Sequence, residues 1–103
     1  LDSKSIQQHL RAFSYDLPAL RDPQHTLVAR AEAVTTPHAA LFDRAGALVY
    51  SGRIDDRYID FGKQRTAART HDLEAALQAV LAGRAPSVSR TRSVGCYIAD
   101  LKE

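Results

Sequence analysis

Residues 34–57 read Val-Thr-Thr-Pro-His-Ala-Ala-Leu-Phe-Asp-Arg-Ala-Gly-Ala-Leu-Val-Tyr-Ser-Gly-Arg-Ile-Asp-Asp-Arg, and they decide the fold. A proline opens one apolar run, a short turn closes it, and a second apolar run follows before the chain becomes charged. Proline has no N–H to donate to a sheet, so Pro37 belongs at the start of a strand or in the turn before it. Asp43-Arg44-Ala45-Gly46 supplies turn chemistry, with Asp at the first position and Gly where a positive φ is needed. The stretch therefore predicts an antiparallel β-hairpin fed by a loop with proline at its tip.

Downstream, Arg53 to Arg69 is the least regular segment, crowding Arg53, Asp55, Asp56, Arg57, Asp60, Lys63, Arg65 and Arg69 around Tyr58, Ile59 and Phe61. Its acids and bases interleave, which reads as solvated ion pairs rather than an anion or nucleic-acid patch. A helix follows. Thr70 is placed to cap it, Asp72 and Glu74 suit the positive end of the helix dipole, and Leu73, Ala76, Leu77, Val80 and Leu81 form one stripe. Gly83 stops the helix and Pro86 prevents its return. The spacing predicts one core made of Leu41, Phe42, Leu48, Val49, Leu73, Leu77, Val80 and Leu81. The tail, 87–103, is polar and basic except for a short apolar segment around Cys96.

Upstream, Ser5-Ile6-Gln7-Gln8 suggests a capping box and a helix over about residues 4–13, with Ile6, Leu10 and Phe13 on one face. Leu17-Pro18-Ala19-Leu20 is expected to be a short edge strand. Asp22-Pro23 then signals the start of a second helix running to about Ala33.

At 103 residues the chain is one domain at most, with little core to spare. Hydrophobic residues at 45% and charged residues at 25% argue against disorder. A formal charge of +2 is too small to imply nucleic acid, and no apolar run reaches membrane-spanning length. The chain opens at Leu1 without an initiator Met and holds no Met at all, which suggests a processed protein or an excised piece. His9, His25, His38 and His71 lie on different elements with no ligand spacing, so no metal is expected. No glycine-rich phosphate loop and no Gly-x-Ser-x-Gly elbow exists. His38, directly after Pro37, reads as an exposed histidine without a role in preference to one that tunes a nearby thiolate by its charge. Cys96 stands alone, which excludes an internal disulfide. It is open to three readings: a buried inert thiol, a reactive thiol, or a partner for a cysteine elsewhere.

The order helix, strand, helix, strand, strand, helix, with Thr36-Pro37, then Asp43-Arg44-Ala45-Gly46, then Tyr50-Ser51-Gly52, resembles the C-terminal portion of a thioredoxin-like fold. The branch is the redoxin one, of alkyl hydroperoxide reductase / thiol-specific antioxidant type. The resemblance covers roughly residues 1–83. It implies an α/β fold lacking its first strand–helix–strand unit, with 1–86 as the C-terminal part of the domain and 87–103 as an appended tail. It implies a cis Thr36–Pro37 peptide, with Thr36 and Pro37 positioning substrate. The implied activity is thiol–disulfide exchange or peroxide reduction, without a cofactor, on a thiol, disulfide or peroxide substrate. An extracytoplasmic or periplasmic setting is favoured by the same resemblance, and there a disulfide from Cys96 to an upstream cysteine would be stable. Nothing here corresponds to the family's reactive cysteine motif, so no catalytic residue is assigned within this chain. A non-catalytic binding or assembly module of the same fold is the alternative. Open strand edges favour a homo-oligomer in either case.

Overall fold

The computed structural model describes residues 2–60 and 62–98. Among the described residues it is a mixed α/β structure of three helices and three two-stranded antiparallel sheets. The elements run α1 (Ser3–Ala12), α2 (Thr26–Arg30), β1 (Thr35–Thr36), β2 (Ala39–Phe42), β3 (Leu48–Gly52), β4 (Tyr58–Asp60), β5 (Lys63–Gln64), α3 (Asp72–Leu81) and β6 (Cys96–Tyr97).

The hairpin forms as its sequence dictates. Ala39 pairs with Gly52, Ala40 with Ser51 and Leu41 with Tyr50. Its turn is tied by Asp43, whose Oδ1 accepts from the Ala45 and Ala47 amides at 3.0 and 2.9 Å, while Gly46 takes φ +87°. The Thr36–Pro37 peptide ahead of it is cis.

Several local expectations are corrected. Residues 17–20 are not a strand: Pro18 donates no amide, and Leu17 and Leu20 stand 74% and 84% exposed. The second helix is a single turn beyond His25, because Asp22 spends its carboxylate on the Val28 amide at 2.8 Å and a turn at Pro23-Gln24 precedes the helix. Asp2, rather than Ser5, caps α1, with Oδ1 accepting from the Ser5 amide at 2.7 Å. His71 is the capping position of α3, while the Thr70 hydroxyl donates to Asp72 at 3.0 Å. The irregular charged segment contains a second small hairpin, β4–β5.

The core differs most from expectation. Leu41, Phe42, Leu48, Val49, Leu73 and Val80 are only half-buried, and Leu77 and Leu81 are exposed. Among the described residues the buried ones are Ala31, Tyr50, Ala76 and Ala79, with Thr35, Ser51, Gly52 and Asp56. Helix α3 buries its two small alanines, Ala76 and Ala79, and leaves the leucines at 77 and 81 outward. The accessible surface is 8226 Å², against about 5,700 Å² expected of a self-contained protein of this mass. The radius of gyration is 15.0 Å, against about 12.8 Å for a compact chain of this length. This chain leaves much of its apolar surface without a partner.

The tail is part of the structure. Ser51 and Arg90 form a parallel bridge beside β3, the Ser51 amide donates to the Ser89 carbonyl at 3.0 Å, and β6 returns to pair with β1.

Candidate functional site

The residues singled out by the sequence meet at one place, where β1 ends. Thr36 lies opposite Cys96 and Thr35 opposite Tyr97, and the Ile98 amide donates to the Val34 carbonyl at 2.9 Å. Thr36, Pro37 and Cys96 are all exposed. The buried reading of Cys96 is thereby corrected: the residue is exposed on the strand that pairs with Thr36.

The chain crosses this loop at Gly95. A Cβ on Gly95 would collide with the Thr36 carbonyl and press on Pro37 Cδ, so the close approach requires glycine. Two hollows flank the crossing. One, of about 340 Å³, is lined by Thr35, Asp60, Arg92, Ser93, Cys96 and Tyr97 among others. A smaller one, of about 210 Å³, lies between Pro37, Ile54, Arg57, Tyr58 and Val94.

His38, read from sequence as exposed and idle, is half-buried and central. The buried Ser51 hydroxyl donates its proton to the Ala31 carbonyl at 2.5 Å. Ser51 Oγ must therefore accept from His38 Nε2–H, at 2.6 Å. On the neutral ring Nδ1 is then an acceptor, filled by the Ser93 hydroxyl at 2.9 Å. The Ser93 oxygen in turn receives the Thr35 hydroxyl at 2.6 Å. Burial pushes the His38 imidazole below its usual range, which keeps the ring neutral; the Glu32 charge acts weakly in the other direction.

A second closed circuit anchors the start of the returning segment. Fully buried Tyr50 donates its O–H to the Arg53 carbonyl at 2.5 Å and accepts from Thr91 at 2.7 Å. The Thr91 oxygen accepts from the Arg53 amide at 2.9 Å. Burial holds the Tyr50 phenol above its usual range.

The charged loop is organised by ion pairs and by one buried carboxylate. Asp56 Oδ1 accepts from the Arg69 and Thr70 amides at 2.6 and 2.8 Å, and Arg65 lies 3.5 Å from Oδ2. Arg53 pairs with Asp72 at 2.8 Å. Among the described residues no group of three or more His, Cys, Asp or Glu is placed to hold a metal ion, and no helix is long and apolar enough to cross a membrane.

Thr35, Ser51, Thr91, Ser93 and Gly95 were not legible as site residues. Single hydroxyls and glycines far apart in sequence carry no spacing signal, and only the returning tail brings them together.

No family model and no curated protein matches the chain. Among solved structures it is similar to an uncharacterized conserved protein from Geobacillus kaustophilus, at a TM-score of 0.75 and 26% identity over 99% of this chain. It is also similar to a hypothetical protein from Sinorhizobium meliloti, at a TM-score of 0.71 and 28% identity over 97% of this chain. The chain spans about half the length of each, 52% and 53% respectively.

Proposed function

We propose that this chain is the C-terminal portion of a redoxin-type thiol–disulfide oxidoreductase or peroxiredoxin-like protein, and that Thr36 and Pro37 align its substrate. One observation supports this reading above the others: the backbone at Thr36 is paired with an extended segment that carries a cysteine directly opposite it. An edge that accepts such a strand from its own tail has the geometry to accept one from a polypeptide disulfide.

In this reading a thiolate from residues outside this chain attacks one sulfur of the substrate disulfide. A mixed disulfide forms and the other sulfur leaves as thiolate; a second thiol then attacks and releases the reduced substrate. In this reading Cys96, exposed on the strand that pairs with Thr36, makes that second attack after the substrate has displaced its strand from the edge. Thr36 and Pro37 do no bond-making; they hold the extended backbone in register.

The test compares this chain with the complete protein in an insulin-reduction assay and a peroxide assay. The isolated chain is expected to show no turnover. The complete protein should turn over, with a large loss in Pro37→Ala and accumulation of mixed disulfide in Cys96→Ser. A complete protein with no thiol-dependent activity would exclude the enzyme and leave the binding or assembly module. That second reading draws on its own observation, the exposed Phe13, Tyr15, Leu17, Leu20 and Leu27. It requires a concentration-dependent assembly visible by light scattering.

A further inference from the structure

We propose that the segment Thr91–Tyr97 is a releasable strap, latched by His38, that occupies the Thr35–Thr36 edge in place of an incoming extended peptide. The inference rests on the reading of that edge as a substrate site and adds its regulation.

The strap is fastened unevenly. At its start Thr91 is held firmly, by Tyr50, by the Arg53 amide and by its own amide donating to the Ser51 carbonyl at 3.1 Å. At its far end it makes a two-residue strand whose side chains face solvent, Tyr97 being 85% exposed. The hollow of about 340 Å³ opens against that end, so little packing opposes its departure. Between the two ends stand the part-buried fastening of Ser93, gripped by Thr35 on one side and His38 on the other, and an exposed ion pair of Arg92 with Asp60 at 3.9 Å.

That fastening depends on the charge of the ring. Neutral His38 accepts the Ser93 proton at Nδ1 while Nε2–H is spent on Ser51. Protonated His38 carries N–H on both nitrogens and donates to the Ser93 oxygen instead of accepting from it, so the Ser93 proton loses its acceptor on the ring and must turn elsewhere. The charged group facing the ring is Glu32, which is itself paired with Arg90 at 2.9 Å on the segment just before the strap. Acid therefore loosens the strap at its middle only by removing the acceptor of the Ser93 proton, and leaves the Thr91 anchor intact. The Gly95 crossing gives an independent release, since any side chain there collides with Thr36 and drives the strap off the edge.

The experiment uses the 103-residue chain and a fluorescent peptide, Ser-Val-Gly-Cys-Tyr-Ile, copied from the strap and kept reduced. Binding is read by anisotropy, strap closure by hydrogen exchange at the Ile98 amide, and retention of the fold by circular dichroism. Gly95→Val should lower Ile98 protection at least tenfold and bind the peptide at least tenfold more tightly than the unaltered chain. Ser93→Ala should give partial release at pH 7.5. The unaltered chain should approach it as pH falls to 5, while Ser93→Ala changes little over that range. Ile98 protection that ignores both Ser93→Ala and acid would overturn the latch. Equal peptide affinity for the unaltered chain and Gly95→Val would overturn the strap as a competitor. Loss of Ile98 protection in Gly95→Val without peptide binding by any variant would instead sink the edge reading itself, and the regulation with it.

Discussion

Gly95 lies so close over Thr36 that the Thr36 carbonyl fills the space a side chain would need. Gly95 and Thr36 are 59 positions apart in sequence; in space the tail and the proline loop are one surface. The contact explains why Cys96 is displayed opposite Thr36, and why the loop is not open to solvent along its whole edge.

A similar close approach at Gly52 gives a stability prediction. Gly52 has φ +152° and a Cβ there would overlap both the backbone and the hydroxyl of Thr91. Gly52→Ala is expected to lose about 2–4 kcal/mol, combining a strained backbone with overpacking. Gly62, with φ +74° and open space around it, should lose only about 1–2 kcal/mol as Ala. Urea denaturation of the two variants checks the order; equal losses would mean that Thr91 does not lie against Gly52.

Tyr50 should be the most sensitive single core position. Tyr50→Ala is expected to lose about 3–5 kcal/mol. Tyr50→Phe keeps the ring but leaves the Arg53 carbonyl and the Thr91 hydroxyl without their partner, at a loss of about 1–3 kcal/mol. Thr91→Val removes the other half of the circuit. The double variant Tyr50→Phe/Thr91→Val should lose less than the sum, because the two share the same hydrogen bonds.

The alanine face of α3 makes a prediction opposite to the leucine stripe. Ala76→Leu should destabilise by about 1–3 kcal/mol, since Ala76 is only 2% exposed. Leu81→Ala, at an 85% exposed position, should change stability by less than about 0.5 kcal/mol. Thermal unfolding of the pair decides it; a large loss at Leu81 alone would restore the leucine stripe as the core.

Stability should fall in acid in two stages. His38 is held below 6.5 in the folded state by burial, so below that pH the unfolded chain binds the proton more readily. Stability is lost as pH falls from about 6.5 toward the folded value, then levels off. Asp56 is held below 3.8 by the Thr70 and Arg69 amides. Its contribution is present above that value and is lost as pH falls through the lower, folded one. Chemical denaturation from pH 8 to pH 2 should show both steps. His38→Gln should remove the first and Asp56→Asn should reduce the second.

Elements whose signals are local were legible in the sequence. The Asp43–Gly46 turn, the hairpin around it, the end of α3 at Gly83 and the proline at the hairpin's start all follow from residues within a few positions of one another. The Leu17–Leu20 strand failed for the complementary reason. Its composition permits a strand, but a strand exists only with a partner, and none lies beside it among the described residues. The leucine stripe of α3 failed likewise: periodicity names an apolar face, and the side of the helix that meets a neighbour depends on how closely the two can approach.

By itself, then, the sequence determined the hairpin, its turn, the proline at its start and the extent of α1 and α3, because dihedral preference, turn chemistry and capping act over a few residues. The tertiary structure alone decided that Ser51, His38, Ser93 and Thr35 form one chain of hydrogen bonds, that Tyr50 closes a circuit with Thr91, and that Cys96 faces Thr36. Those contacts join residues up to 60 positions apart. A hydroxyl or a glycine carries no mark of its distant partner; the pairing is fixed only when the tail folds back and every buried donor must find an acceptor.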